Sequence, residues 1–160
     1  MTISLDLNVS MPELTRTLLD IYSVSGEEKT IADAVYESLS AYPHLHLTRD
    51  GDAMIARTEF GPRNGEERTR ILLAGHLDTV PLPTVAGSLG TVPASIVEDN
   101  GDWILYGRGA TDMKGGVAVQ LKLAAELGEH DTDYNLTYVF YDHEEVASEL
   151  SGMARLIRNH

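Results

Sequence analysis

A chain of 160 residues that is 42% hydrophobic can bury the core of one domain, and it has no run approaching the roughly 20 apolar residues that cross a bilayer. A net charge of −13, from 25 acidic and 12 basic residues with no basic stripe, excludes phosphate backbones as partners, and no membrane partner is expected either. Cysteine is absent, which removes disulfides, thiolate metal sites and thiol nucleophiles, and the opening MTISLDLNVS lacks the basic-then-apolar pattern of a secretory signal, so a cytoplasmic protein is expected.

Ser10 to Glu13 reads as a capping box with proline in the first turn, and Leu14, Leu18, Leu19 and Ile21 then recur at helical spacing, which predicts a helix over 12–22. Ser25 to Glu28 reads as a second capping box, followed by a helix with Ile31, Ala32, Val35 and Leu39 inward that ends before Pro43. From His44 the period shortens. Leu45 and Leu47 alternate with polar residues, Asp50-Gly51-Asp52 is a turn signal, and 53–58 completes a hairpin. Residues 61–67 form a loop, and Ile71 to Ala74 reads as a strand buried on both faces that ends at Gly75-His76.

Residues 81–93, rich in Gly, Pro, Ser and Thr, are expected to form a long surface loop. Asp99 to Asp102 is a second hairpin turn, with 103–106 as its return strand. A tight loop over 107–112 leads into a helix over 113–127 with Val117, Leu121, Leu123 and Ala124 inward. Leu136 to Tyr141 is a strand with Asp142 to Glu145 at its end, and a last helix begins over 153–157. Alternating helices and strands imply an α/β layer architecture, in which ligands sit outside the carboxyl ends of strands. Both apolar strands end in charged residues at that position.

Each of those charged groups has an ordinary reading and a chemical one. His76 and Asp78 share a side of an extended segment, so the carboxylate can orient an imidazole that binds a metal, although a structural histidine at a strand end fits equally. Asp112, after the glycines 107 and 109, is either a helix N-cap or a carboxylate shared by metal ions. Glu144 and Glu145 are either a solvated acidic turn or a pair that demands a cation. His143 reads as a neighbour of the site or a surface residue in preference to a ligand, while His44, His46, His130 and His160 receive no role. Arg108 and Lys114 could bind a substrate carboxylate, but the favoured reading is that they hold the loop by pairing with Asp112 or Asp102. The acidic balance suits cations but is also what solubility alone requires. Taken together, one imidazole and several carboxylates at strand ends form the ligand set expected for zinc with an activating base. No Gly-x-Ser-x-Gly elbow or P-loop is present, which disfavours serine nucleophiles and nucleotide chemistry.

Gly75-His-Leu-Asp-Thr-Val-Pro81, Gly107-Arg-Gly-Ala-Thr-Asp-Met-Lys-Gly-Gly116 and Asp142-His-Glu-Glu-Val146 resemble, in order and spacing, the three motifs of the M20 family of zinc peptidases and deacylases, and the stretch 23–27 extends the likeness. The segment 140–152 is most similar to the branch that hydrolyses N-succinyl-LL-2,6-diaminopimelate in lysine and diaminopimelate biosynthesis. The resemblance implies a mixed sheet flanked by helices, as in the catalytic domain of zinc exopeptidases. It implies that His76, Asp112 and Glu145 are metal ligands, with Asp112 bridging two zinc ions (cobalt being an alternative). It further implies that Asp78 orients His76, that Glu144 is the general base, and that a cis peptide follows Asp112. His143 stands where most of the family has Asp.

The likeness also implies that residues 1–160 correspond to the N-terminal part of the catalytic domain. The family's remaining zinc ligands, the rest of that domain and the small dimerisation domain have no counterpart here. A homodimer is expected of the full-length protein, and the 160-residue chain by itself is expected to be nearly inactive. Competing readings are an acetylornithine deacetylase-like deacylase or carboxypeptidase, a non-catalytic metal-stabilised fragment, and a plain α/β domain.

Overall fold

The computed structural model describes residues 3–160. Met1 and Thr2, which open the segment read as lacking a secretory signal, lie outside the described residues. Among the described residues there are four α-helices, α1 (Met11–Leu19), α2 (Lys29–Ser40), α3 (Gly115–Glu126) and α4 (Gly152–Asn159). Six strands accompany them, β1 (His46–Asp50), β2 (Ala53–Arg57), β3 (Arg70–His76), β4 (Ser95–Asp99), β5 (Asp102–Tyr106) and β6 (Asn135–Tyr141).

A four-stranded sheet in the order β1-β2-β6-β3 is antiparallel except for the parallel pair β6–β3, and β4 with β5 forms a separate hairpin. The architecture is therefore mixed α/β. Strand alternation divides the sheet's side chains between two layers. Met54 and Ala56 of β2 and Leu136, Tyr138 and Phe140 of β6 pack with Leu14 and Leu18 of α1, Ile31 and Val35 of α2, and Val117 and Leu121 of α3. Ala53, Ile55 and Val139 point the other way, against Leu156 of α4. Among the described residues no helix is long and apolar enough to cross a membrane.

Several boundaries differ from the sequence expectation for physical reasons. The first helix stops at Leu19, not at Tyr22, because the Ile21 carbonyl accepts from the Lys114 Nζ (2.6 Å) and Ser23 runs alongside Thr79. Its capping box forms as read, with the Ser10 amide and hydroxyl both donating to Glu13. The third helix begins at Gly115, not at Met113, since 110–114 makes a wide turn in which Asp112 and Met113 leave helical φ/ψ. β3 is not buried on both faces. It is an edge strand of its sheet, and its first half is exposed, Leu72 to 60%. The strands buried on both faces are β6 and, over its first four residues, β2, each of which has neighbours on both sides.

The parallel pair sets the site. His76 lies opposite Tyr141, so β3 and β6 end at one level and their following residues emerge side by side, with the Leu77 amide donating to the Tyr141 carbonyl (2.8 Å). Residues 23–25 add a short parallel bridge beside Thr79. The loop before α3 closes over the same rim at Gly109, where φ is +78° and a Cβ would lie 2.6 Å from the Thr79 methyl, so glycine is required twice over.

Candidate metal centre

The rim brings together all five residues singled out from the sequence. His76, the last residue of β3, is buried, and its Nε2 lies 2.9 Å from Oδ1 of Asp112. Its Nδ1 lies 2.9 Å from the backbone carbonyl of Asp78. Both partners only accept, so a ring with a proton on each nitrogen would donate to both. Burial opposes that charge, but the hydrogen bonds to Asp78 and Asp112 outweigh it and push His76 up to about 9. One ligand-type atom from each of His76, Glu144 and Glu145 falls within a 4.8 Å span. Asp112 approaches from the opposite loop with its side chain 75% exposed, and the peptide bond after it is cis.

Asp78 does something the sequence reading did not anticipate. It meets the ring of His76 chiefly through its backbone carbonyl, while Oδ1 stays 3.5 Å from Nδ1. The fully buried carboxylate instead accepts from the Ser25 hydroxyl (2.6 Å) and from the amides of Glu144 and Glu145 (both 3.0 Å). Against the cost of its burial, the nearby His76 ring and the hydrogen bonds from Ser25 and those two amides hold this carboxyl far below the usual carboxylate range. Asp78 thus fixes the backbone of the Glu pair to the end of β3.

Ser25 and Glu28 are the functional neighbours that sequence reasoning missed. Their spacing imitates a capping box, yet neither caps α2. The Ser25 hydroxyl is turned to Asp78, and Glu28 is buried with Oε1 accepting from the His143 amide (3.1 Å). His143 is a neighbour of the site as expected, its Nδ1 2.8 Å from Asp142, and Arg155 holds Asp142 in turn (2.7 Å).

Lys114 is structural, though through a backbone carbonyl and not through Asp112 or Asp102. Arg108 likewise pairs with neither aspartate. It lines a cavity of about 550 Å³ shared with Thr79, Tyr106, Asp112 and Glu145, where its buried Nε meets no hydrogen-bond partner among the described residues. Of the histidines left without a role, His44 approaches the Ala124 carbonyl and His160 approaches Asp50.

The donor set fits a borderline cation. Burial, together with the charges of Asp112, Glu144 and Asp78, raises Glu145 although His76 pulls it down, as happens when carboxylates crowd without a counter-ion. A zinc ion takes imidazole nitrogen and carboxylate oxygen readily, and no thiolate is needed.

The His76 shift has a measurable sign. A folded-state value near 9 against an unfolded value of 6.5 contributes stability that is complete below pH 6.5 and lost as pH rises through 9. Buried Lys114, depressed by desolvation to about 8, acts oppositely, and only above that pH. The chelator-treated chain is therefore expected to lose stability between pH 6.5 and 8 and to stop losing it above, where the Lys114 slope opposes that of His76, which urea denaturation at a pH series checks. A flat profile over the lower interval would contradict the doubly protonated ring.

Comparison with known proteins gives this geometry its context. A Mycobacterium tuberculosis protein that carries the name succinyl-diaminopimelate desuccinylase is 45% identical over 155 residues, covering 96% of this chain and 39% of its own. The succinyl-diaminopimelate desuccinylase of Corynebacterium glutamicum is 39% identical over 150 residues, covering 92% of this chain and 37% of its own. The chain thus spans well under half the length of these relatives. The M20 family metallo-carboxypeptidase Sso-CP2 of Sulfolobus solfataricus superposes with a TM-score of 0.66 at 19% identity, covering 86% of this chain and 31% of that one, which supports the fold. A family model matches residues 72–160, from within β3 to the C-terminal residue, and on that match the chain belongs to peptidase family M20/M25/M40.

Proposed function

We propose that this chain supplies the metal-binding rim and the general base of an amidohydrolase that converts N-succinyl-LL-2,6-diaminopimelate to succinate and LL-2,6-diaminopimelate. The observation that carries the proposal is the convergence of His76, Asp112, Glu144 and Glu145 from three separate segments on one rim. The substrate class rests on the two desuccinylase relatives.

His76, Asp112 and Glu145 would hold zinc, and by the family resemblance Asp112 would be the ligand common to two ions. Bound zinc polarises the scissile carbonyl and acidifies the attacking water. Glu144, exposed at the rim beside His76 and Glu145, takes the proton of that water and delivers it to the departing amine. Asp78 keeps the Glu144 and Glu145 backbone in place during both transfers. Three ligand residues shared between two ions leave each ion short of the three protein ligands usual for catalytic zinc. We therefore expect the 160-residue chain alone to bind zinc weakly and to turn over little. The cytoplasm and a homodimer are the proposed setting of the whole protein.

Calorimetric zinc titration tests the site. His76→Ala and Asp112→Ala are each expected to weaken binding at least about tenfold, with proton release on binding falling in the His76 variant because Nε2 must lose its proton to become a ligand. Unchanged binding in both variants would remove the assignment. Side-by-side kinetics on succinyl and acetyl substrates, in a chain continued to the length of the relatives, test the substrate. Preference for the acetyl compound would move the proposal to another deacylase.

A further inference from the structure

Three successive backbone amides carry the Glu pair, and two buried carboxylates hold all three. Oε1 of Glu28 accepts from the amide of His143 (3.1 Å), and the two oxygens of Asp78 accept from those of Glu144 and Glu145 (3.0 Å each). Successive amides converge in this way only when the backbone takes an unusual conformation, and His143 supplies it with φ of +58°. A side chain with a Cβ adopts that conformation at a cost of about 1–2 kcal/mol, so something must hold it there. Its amide is held by Glu28, and its ring lies 2.8 Å from Asp142, which Arg155 anchors to Asp50.

Glu28 is a poor stabilising device. Its side chain is wholly buried, Oε2 has no hydrogen-bond partner among the described residues, and Oε1 serves one amide with the His143 ring 3.4 Å away. Burying a carboxylate so incompletely satisfied costs stability, and an apolar side chain of similar volume would fill the position without that cost. What the carboxylate does achieve is a fixed entry to the turn that aims Glu144 and Glu145.

We infer that Glu28 is a positioning residue for the Glu144–Glu145 pair, acting through the His143 amide as the second jaw of a clamp whose first jaw is Asp78. The inference rests on the metal-centre reading for its consequence, but its geometry is independent of any ion. The required property is an acceptor oxygen at the reach of a glutamate, and charge is secondary. Glu28→Gln preserves that oxygen, whereas Glu28→Asp keeps the charge and withdraws it by one methylene.

The test titrates zinc into a chain continued to the length of the relatives, as wild type, Glu28→Gln and Glu28→Asp, and measures hydrogen exchange at the 143–145 amides in the presence of chelator. The Gln variant is expected to match wild type in both. The Asp variant is expected to lose about 10- to 100-fold in zinc affinity and to expose the His143 amide to exchange. Wild-type affinity and protection in the Asp variant would overturn the inference. So would loss in Gln with retention in Asp, which would mean that charge alone matters. A wild-type His143 amide that exchanges at the solvent rate overturns it even if both variants fail to fold. If wild type binds no zinc, or His76→Ala binds it equally, the metal-centre reading fails, while the exchange comparison still decides the role of Glu28.

Discussion

Glu144→Gln, in a chain continued to the length of the relatives, is expected to lower kcat by roughly 100- to 10,000-fold while leaving zinc affinity close to wild type. The isosteric amide cannot accept the water's proton, yet it leaves His76, Asp112 and Glu145 untouched as ligands. KM should change little, because the lost interaction is made in the transition state and not in the ground state. Steady-state kinetics beside a metal titration separate the alternatives. Full activity would remove Glu144 as the base, and loss of zinc in step with activity would make it a ligand. The second possibility has structural content, since Glu144 shares the 4.8 Å cluster with His76 and Glu145.

The second large effect is expected at Asp78. Alanine there leaves the Ser25 hydroxyl and the amides of Glu144 and Glu145 without their acceptor in a buried place. Breaking a buried charged network from one side costs about 3–5 kcal/mol, and losing the scaffold of the Glu pair should remove zinc binding at accessible concentrations. Asn is not expected to rescue the protein, because one of its two positions becomes a donor facing an amide donor. Urea denaturation of the metal-free chain gives the first quantity and calorimetry the second. A stability loss under about 1 kcal/mol would show that water satisfies these donors as well as the carboxylate does.

The contrast between Asp78 and Glu28 shows what the sequence could reveal. The hairpin at 50–53, the capping box at Ser10 and the strand ends at His76 and Tyr141 follow from local chemistry, and local chemistry is written in adjacent residues. That His76, Asp78, Asp112, Glu144 and Glu145 meet on one rim was legible because His76, Asp78 and the Glu pair close or follow apolar strands, and because the three motifs, Asp112 in the second, stand in order. Ser25 and Glu28 were misread for the same reason in reverse. Their spacing is that of a helix cap, and only the bridge of residues 23–25 to Thr79 turns them toward the site. The exposure of Leu72 was equally hidden, since whether an apolar strand lies inside or at the margin depends on its neighbours and not on its own residues.

The parallel union of β3 with β6 has a bearing on when the proposed site can form. A ribosome releases Arg70–His76 well before Asn135–Tyr141 exists, and pairing across so long an interval is slow to nucleate. Until then the nascent chain offers His76 without the glutamates proposed to share its cation. The rim is thus complete only once the sheet has closed, and an ion captured earlier would meet only part of the proposed donor set.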